Sequence, residues 1–281
     1  MSTETPAHLP PFRPSPPTVR VGSVDVLPLR EKELVQLVEQ RWRRSEGGWI
    51  VTANVDIVRA ATRDPELSAL VAEADVVVAD GMPVVWAARL AGEPVPERVT
   101  GASLVFSLTE AAAREGRTIY LLGGEPGVPE TAAAALQERF PGLTVAGTHS
   151  PQFGFDKTDE GMSKVVRLVA EAKPDLILVG LGFPKQERTI RELRTLLPDG
   201  WYIGCGAGIP MAAGEFTRAP GIMQKVGAEW LHRLALEPRR LARRYLVQDA
   251  PFALRLLAEA TKHRLAGRRT RATRKIANNH A

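Results

Sequence analysis

A mostly parallel α/β fold with flanking helices is predicted for this 281-residue chain by three observations. Six short apolar runs recur along it: "GWIVTANV" (48–55), "ADVVVAD" (74–80), "RTIYLLGG" (117–124), "LTVAGTH" (143–149), "PDLILVGLG" (174–182) and "GWYIGCGAG" (200–208). They are mostly continuous rather than alternating, as strands buried on both faces must be. Between them lie segments of helical period whose lengths suit crossover helices, so a Rossmann-like, doubly wound sheet is the expected architecture.

The elements follow in order. The first eighteen residues carry six prolines and no apolar run, so a disordered Pro-rich lead-in is expected over 1–18, with no secretion signal. The α/β domain is expected over 19–217, with helices near 31–44, 54–63, 65–73, 81–91, 102–115, 126–139, 158–172 and 184–196. From about Pro220 the strands stop. A helical basic appendage over 218–265 is expected in three pieces, 221–235, 238–248 and 251–265. Pro238 and Pro251 fall where a first helical turn tolerates proline, because its N–H is unpaired anyway. In the middle piece Arg239, Arg240, Arg243 and Arg244 fall within about 140° of arc, with Leu241 and Tyr245 opposite. Residues 266–281 carry charge without apolar partners and are expected to be a disordered basic tail.

Hydrophobic residues make up 44% and charged residues 25%, enough for a sizeable core. The net charge of +5 is unevenly spread. From Arg218 to Ala281 fifteen Lys or Arg face four acids, a local +11, which leaves 22 basic against 28 acidic residues elsewhere. A neutral-to-acidic body with a cationic end is not a uniformly basic nucleic-acid binder. No window approaches the ~20 apolar residues of a membrane span, and the single Cys205 cannot form an internal disulfide. A cytoplasmic protein is expected.

In an open parallel sheet ligands bind at the carboxyl ends of the strands. Asp80 emerges there directly from the apolar "VVVA", where partial desolvation suits a general base; capping the helix near Gly81 is the other reading. Thr52 and Asn54 end the preceding strand and can line a pocket or cap a helix. Arg98, in the loop "PERVTG", can bind phosphate or simply be solvated. In "GLGFPKQE", Gln186 and Glu187 follow Pro184 near the same edge, where a first-turn acid also favours the helix dipole. Gly123 and Gly124 lie in "LLGGEPGVPE", a weak phosphate-turn match. A dinucleotide site would need an acid at the end of the next strand, which instead ends in Thr148 and His149. No D-x-D occurs, the five histidines do not pair at ligand spacing, and no metal or cofactor is expected.

In this order the stretches "TANVDIV", "VADGMPVVWAAR", "ERVTG", "IYLLGG", "FPGLTVAG", "DLILVGLGFPKQE", "AAGEFTRAP" and "EWLHRLALEPRRLARR" resemble the WecG/TagA/CpsF family of bacterial glycosyltransferases, from about residue 20 to 247. The resemblance implies transfer of N-acetylmannosamine, its uronic acid, glucose or glucuronic acid. The implied donor is a UDP sugar and the implied acceptor a polyprenyl-diphosphate-linked glycolipid, for teichoic acid, common antigen or exopolysaccharide. It implies metal-independent inversion with Asp80 as base and Thr52, Asn54, Arg98 and Gln186 in the pocket. Arg233, Arg240 and Arg243 match appendage arginines that clamp the diphosphate. The resemblance also implies a protein peripheral on the inner face of the plasma membrane, against an anionic lipid surface; homo-oligomerisation is left open. One departure stands out: Ile209 and Pro210 replace the usual Phe-Asp pair. The alternative function is a non-catalytic nucleotide-sugar or nucleic-acid-binding protein.

Overall fold

The computed structural model describes residues 18–215, 223, 229–236 and 238–278; of these, the side chains of 232, 233, 236, 240, 263 and 266–278 are not described. The expected lead-in, apart from Thr18, and the expected domain boundary at 217 lie outside the described residues.

The chain opens with a hairpin the sequence analysis did not anticipate, β1 (Val19–Val21) against antiparallel β2 (Val24–Val26). Each strand alternates buried valine with an exposed residue, which is too short a pattern to stand out. Then come α1 (Glu31–Trp42), β3 (Gly48–Ala53), α2 (Val55–Arg63), α3 (Pro65–Ala72), β4 (Val76–Ala79), α4 (Met82–Ala91) and α5 (Gly101–Arg114). They are followed by β5 (Thr118–Gly123), α6 (Val128–Arg139), β6 (Thr144–His149), α7 (Asp159–Ala172), β7 (Leu176–Gly180), α8 (Lys185–Leu196), β8 (Trp201–Gly204) and α9 (Gly208–Ala212). Strand ends are shorter than expected, because their terminal glycines and polar residues leave the ladder for the loops.

β3 to β8 form one sheet in the order β4-β3-β8-β7-β5-β6, with every pairing parallel. Neighbouring residues serve opposite faces. Trp49, Val51, Val77, Ile177 and Tyr202 pack on one side with residues of α2, α3, α4, α7 and α8. Ile50, Val76, Val78, Leu178 and Ile203 pack on the other with α1, α5, α6 and α9. This two-sided burial explains why the strands read as unbroken apolar runs.

The appendage departs from the expected three pieces. Helical segments Glu229–Leu236 and Pro238–Ala242 lead into a π-helical stretch, Arg243–Asp249, and then a helix over Ala250–Asn278. The π turn has a local cause: Pro251 lacks an N–H, and its ring would crowd the carbonyl four residues back in a regular α-helix. The Ala250 N–H bonds instead to the Tyr245 carbonyl, five residues back. The last helix runs on into the stretch read as a tail, where Arg, Lys and Ala all favour helix. Phe252 and Leu256 are buried in the body's core, each worth about 1.5–3 kcal/mol of apolar burial. No described helix is long and apolar enough to cross a membrane.

Candidate active site

Parallel strands place all their carboxyl ends on one edge. Along it, from β4 across to β6, come Asp80, then Thr52 to Asn54, Cys205, Gly180, Gly123 and His149. β5 continues toward β6 on one side while β7 continues to β8 on the other, so Gly123 and Gly180 pair where the connections diverge. Such divergence opens a crevice for ligand.

Asp80 follows four buried residues of β4 and is half-buried, its N–H donating to the Ala53 carbonyl at 2.9 Å. Gly81, at φ +106°, is the N-cap of α4 and has no side chain to cap it, so the N-cap position itself is not Asp80's. The Val99 N–H bonds the Ala79 carbonyl at 2.9 Å, which lays the Arg98 loop against the end of β4. Arg98 Nη1 in turn donates to Glu229 Oε2 of the appendage at 2.9 Å. The Arg98 loop thus borders the end of β4, with the Arg98 guanidinium already holding a carboxylate.

On β3, Asn54 is the N-cap of α2, its Oδ1 accepting from the Ile57 N–H at 3.0 Å. The capping reading is realised, with its Nδ2 left unused among the described residues. Thr52 is only 5% exposed, and its hydroxyl has no hydrogen-bond partner among the described residues. A Cβ on Gly101 would lie 3.2 Å from Thr52 Oγ1 and 3.1 Å from the Cys205 Cα, so glycine lets α5 begin against the sheet edge.

Gln186 and Glu187 open α8, with Glu187 in its first turn, and both are buried. Gln186 Nε2 donates to Glu187 Oε1 at 2.8 Å, and Gln186 Oε1 accepts from the Gly182 N–H at 3.2 Å. The pair lies against Gly204 at the end of β8, where any Cβ would overlap the Gln186 amide. Burial pushes the Glu187 carboxyl up to about 7, opposed by the Gln186 hydrogen bond. The α8 period carries the signal for this: Gln186, Glu187, Ile190 and Leu193 share its buried face.

Gly123 and Gly124 have backbone reasons to be glycine, at φ +114° and +93°. A Cβ on Gly123 would sit 2.5 Å from the Gly180 carbonyl oxygen. Their place at the crevice makes close backbone approach to a ligand feasible. Ser150 Oγ donates to the Gly124 carbonyl at 2.6 Å, fixing the turn from the β6 side. Cys205 is buried, its thiol pushed up to about 12 by burial. Burial holds His149 below the usual histidine range. Ile209, at the departure from the family pattern, is buried in α9 with its side chain close to Gly180, beneath the same edge. Among the described residues no group of three or more His, Cys, Asp or Glu could hold a metal ion.

The appendage is tied to the body a second time. Arg59 of α2 bonds Asp56 and, at 3.1 Å through Nε, Asp249 at the end of the π turn. Burial first, then the Asp56 charge, push Asp249 upward, while Arg59 and Arg244 oppose this. Arg244 turns to Asp249, at 3.9 Å, and lies over the Tyr245 ring, so it is part of this contact rather than simply outward-facing. Arg243 is exposed; the side chains of Arg233 and Arg240 lie outside the described residues. Neither Glu229 as partner of Arg98 nor Asp249 as partner of Arg59 was anticipated, since each pairing joins residues far apart in the chain.

The chain matches the Glycosyl transferase WecG/TagA/CpsF family over residues 19–266. It is 33% identical over 214 residues to an N-acetylglucosaminyldiphosphoundecaprenol N-acetyl-beta-D-mannosaminyltransferase of Staphylococcus aureus (strain NCTC 8325 / PS 47), 76% of this chain and 81% of that protein. A protein of the same name from Bacillus spizizenii (strain ATCC 23059 / NRRL B-14472 / W23) is 30% identical over 200 residues, 71% of this chain and 76% of that protein.

Proposed function

The chain belongs to the WecG/TagA/CpsF family of glycosyl transferases, and from that membership we propose that it transfers an N-acetylmannosamine-type sugar from a UDP donor to N-acetylglucosamine carried on polyprenyl diphosphate. The acceptor follows from the names of the relatives. The pathway is cell-surface polysaccharide or teichoic acid synthesis.

The observation that carries the reading is Asp80: a half-buried carboxylate at the carboxyl end of a buried strand, with the Arg98 loop laid against that strand end. Asp80 takes the proton of the acceptor hydroxyl while that oxygen attacks the anomeric carbon. The bond from that carbon to the UDP oxygen breaks, UDP leaves with the electron pair, and the anomeric configuration inverts. Thr52, Asn54 and Gln186 hold the donor sugar through the hydroxyl and amide groups at the strand ends, and Gly123 and Gly124 admit ligand close to the backbone. Arg233, Arg240 and Arg243 neutralise the leaving diphosphate, with no metal required.

The acceptor is membrane-borne, and the appendage offers exposed Trp230, Leu231, Leu246, Val247 and Leu254 among its basic residues. Peripheral attachment to an anionic inner leaflet is the proposed setting; each basic residue near that surface contributes on the order of 1 kcal/mol. The test is UDP release from a panel of UDP sugars with a short polyprenyl-diphosphate N-acetylglucosamine acceptor. Selective, acceptor-dependent release with UDP-N-acetylmannosamine is expected. No acceptor-dependent release with any UDP sugar overturns the proposal.

A further inference from the structure

We infer that Glu187 is a positioning residue that sets which face of the Gln186 amide, carbonyl or N–H, is presented to the site; the inference rests on the reading of Gln186 as a sugar ligand. A side-chain amide has two nearly isosteric orientations, and only its hydrogen-bond partners select one. Here two partners agree. The Gly182 N–H can only donate and meets Oε1 at 3.2 Å; Glu187 Oε1 accepts from Nε2 at 2.8 Å. Gly204, without a Cβ, leaves the space in which this arrangement fits. The remaining Nε2 proton and Oε1 lone pair then have fixed directions.

Glu187 is an expensive residue for a purely packing role. It is fully buried, its Oε2 has no hydrogen-bond partner among the described residues, and a buried carboxyl without a counter-charge disfavours folding. Its neighbours in this arrangement are the Gln186 amide, Gly204 and its own backbone N–H, and no ionised side chain from β7, β8 or α8 contributes to its shift, which burial dominates. A leucine would fill the volume without that cost, so the carboxyl is explained by the hydrogen bond it accepts. Ionisation strengthens that bond, because a charged acceptor binds an N–H more tightly than a neutral one. The state of Glu187 is therefore read out at Gln186.

The experiment compares full-length wild type, Glu187→Gln and Glu187→Leu. Without substrate, the Gln186 side-chain amide resonances of wild type are followed from pH 5 to 9; they are expected to titrate with a midpoint near 7. The titration should vanish in Glu187→Gln. With UDP-N-acetylmannosamine, Glu187→Leu should raise KM for the donor about fivefold or more, and Glu187→Gln, which can still accept from Gln186, should recover most of that loss. Gln186 resonances that do not respond to pH overturn the inference, as do Gln and Leu variants equally impaired in KM. If wild type turns over no UDP sugar, the functional reading fails while the resonance titration still decides the Glu187 to Gln186 link; a Leu variant that does not fold leaves the same measurement decisive.

Discussion

Arg98 Nη1 and Glu229 Oε2 lie 2.9 Å apart with 15% and 11% of their side chains exposed, so a largely buried ion pair joins the loop beside Asp80 to the first described helix of the appendage. Removing either member leaves the other charge poorly solvated. Arg98→Ala and Glu229→Gln should each cost roughly 1 to 3 kcal/mol at this contact. Faster limited proteolysis within residues 229–249, non-additive in the double variant, is the expected result; additive effects would mean the pair does not couple body to appendage.

Asp80→Asn keeps the shape of the side chain and removes the base. Turnover should fall by about 100-fold or more, in the range general bases contribute, with the thermal unfolding curve little changed. The same assay with a chelator should run at the untreated rate if arginines hold the diphosphate. Full activity in Asp80→Asn would remove Asp80 from the proposed mechanism.

Glu187 makes stability depend on pH. Its carboxyl is near 4.5 when exposed and about 7 when folded, so between these values the native state holds a proton that the unfolded chain has released, and stability falls as pH rises, by about 3 kcal/mol in all. Glu187→Gln cannot lose a proton there. Chemical denaturation at pH 5 and pH 8 should show wild type losing stability relative to Glu187→Gln at the higher pH, and parallel curves would contradict the assignment.

Cys205 is buried with its thiol pushed up to about 12, so almost none is thiolate at pH 8. A thiol reagent should label native protein only at the rate of unfolding and react at once in denaturant. Rapid native labelling would mean the end of β8 is open to solvent.

Gly123 and Gly116 both have positive φ, +114° and +64°, but only Gly123 faces a backbone carbonyl, at 2.5 Å from a Cβ position, while Gly116 faces open space. Gly116→Ala should cost about 1 to 2 kcal/mol, the ordinary left-handed penalty. Gly123→Ala should cost clearly more, because β5 must part from β7 at the crevice; denaturant midpoints of the two variants provide the comparison.

Much of this was legible in sequence. Unbroken runs such as Val76–Ala79 read as strands covered on both faces, and that reading puts Asp80 at the carboxyl edge of the sheet. The ordered motifs pointed to the family. These signals are local, since periodicity and spacing act over a few turns of chain.

What tertiary structure alone decided is how each polar group is spent. Asn54 became the N-cap of α2, while the N-cap position of α4 went to Gly81 and not to Asp80. Glu187 is buried in the first turn of α8, where Gly204 leaves room for it beside Gln186. Arg98 found Glu229, 131 residues away, and Arg59 found Asp249, 190 residues away. The physical reason is common to the two ion pairs: a buried polar group takes whichever partner the fold carries to it, and no local spacing encodes that partner.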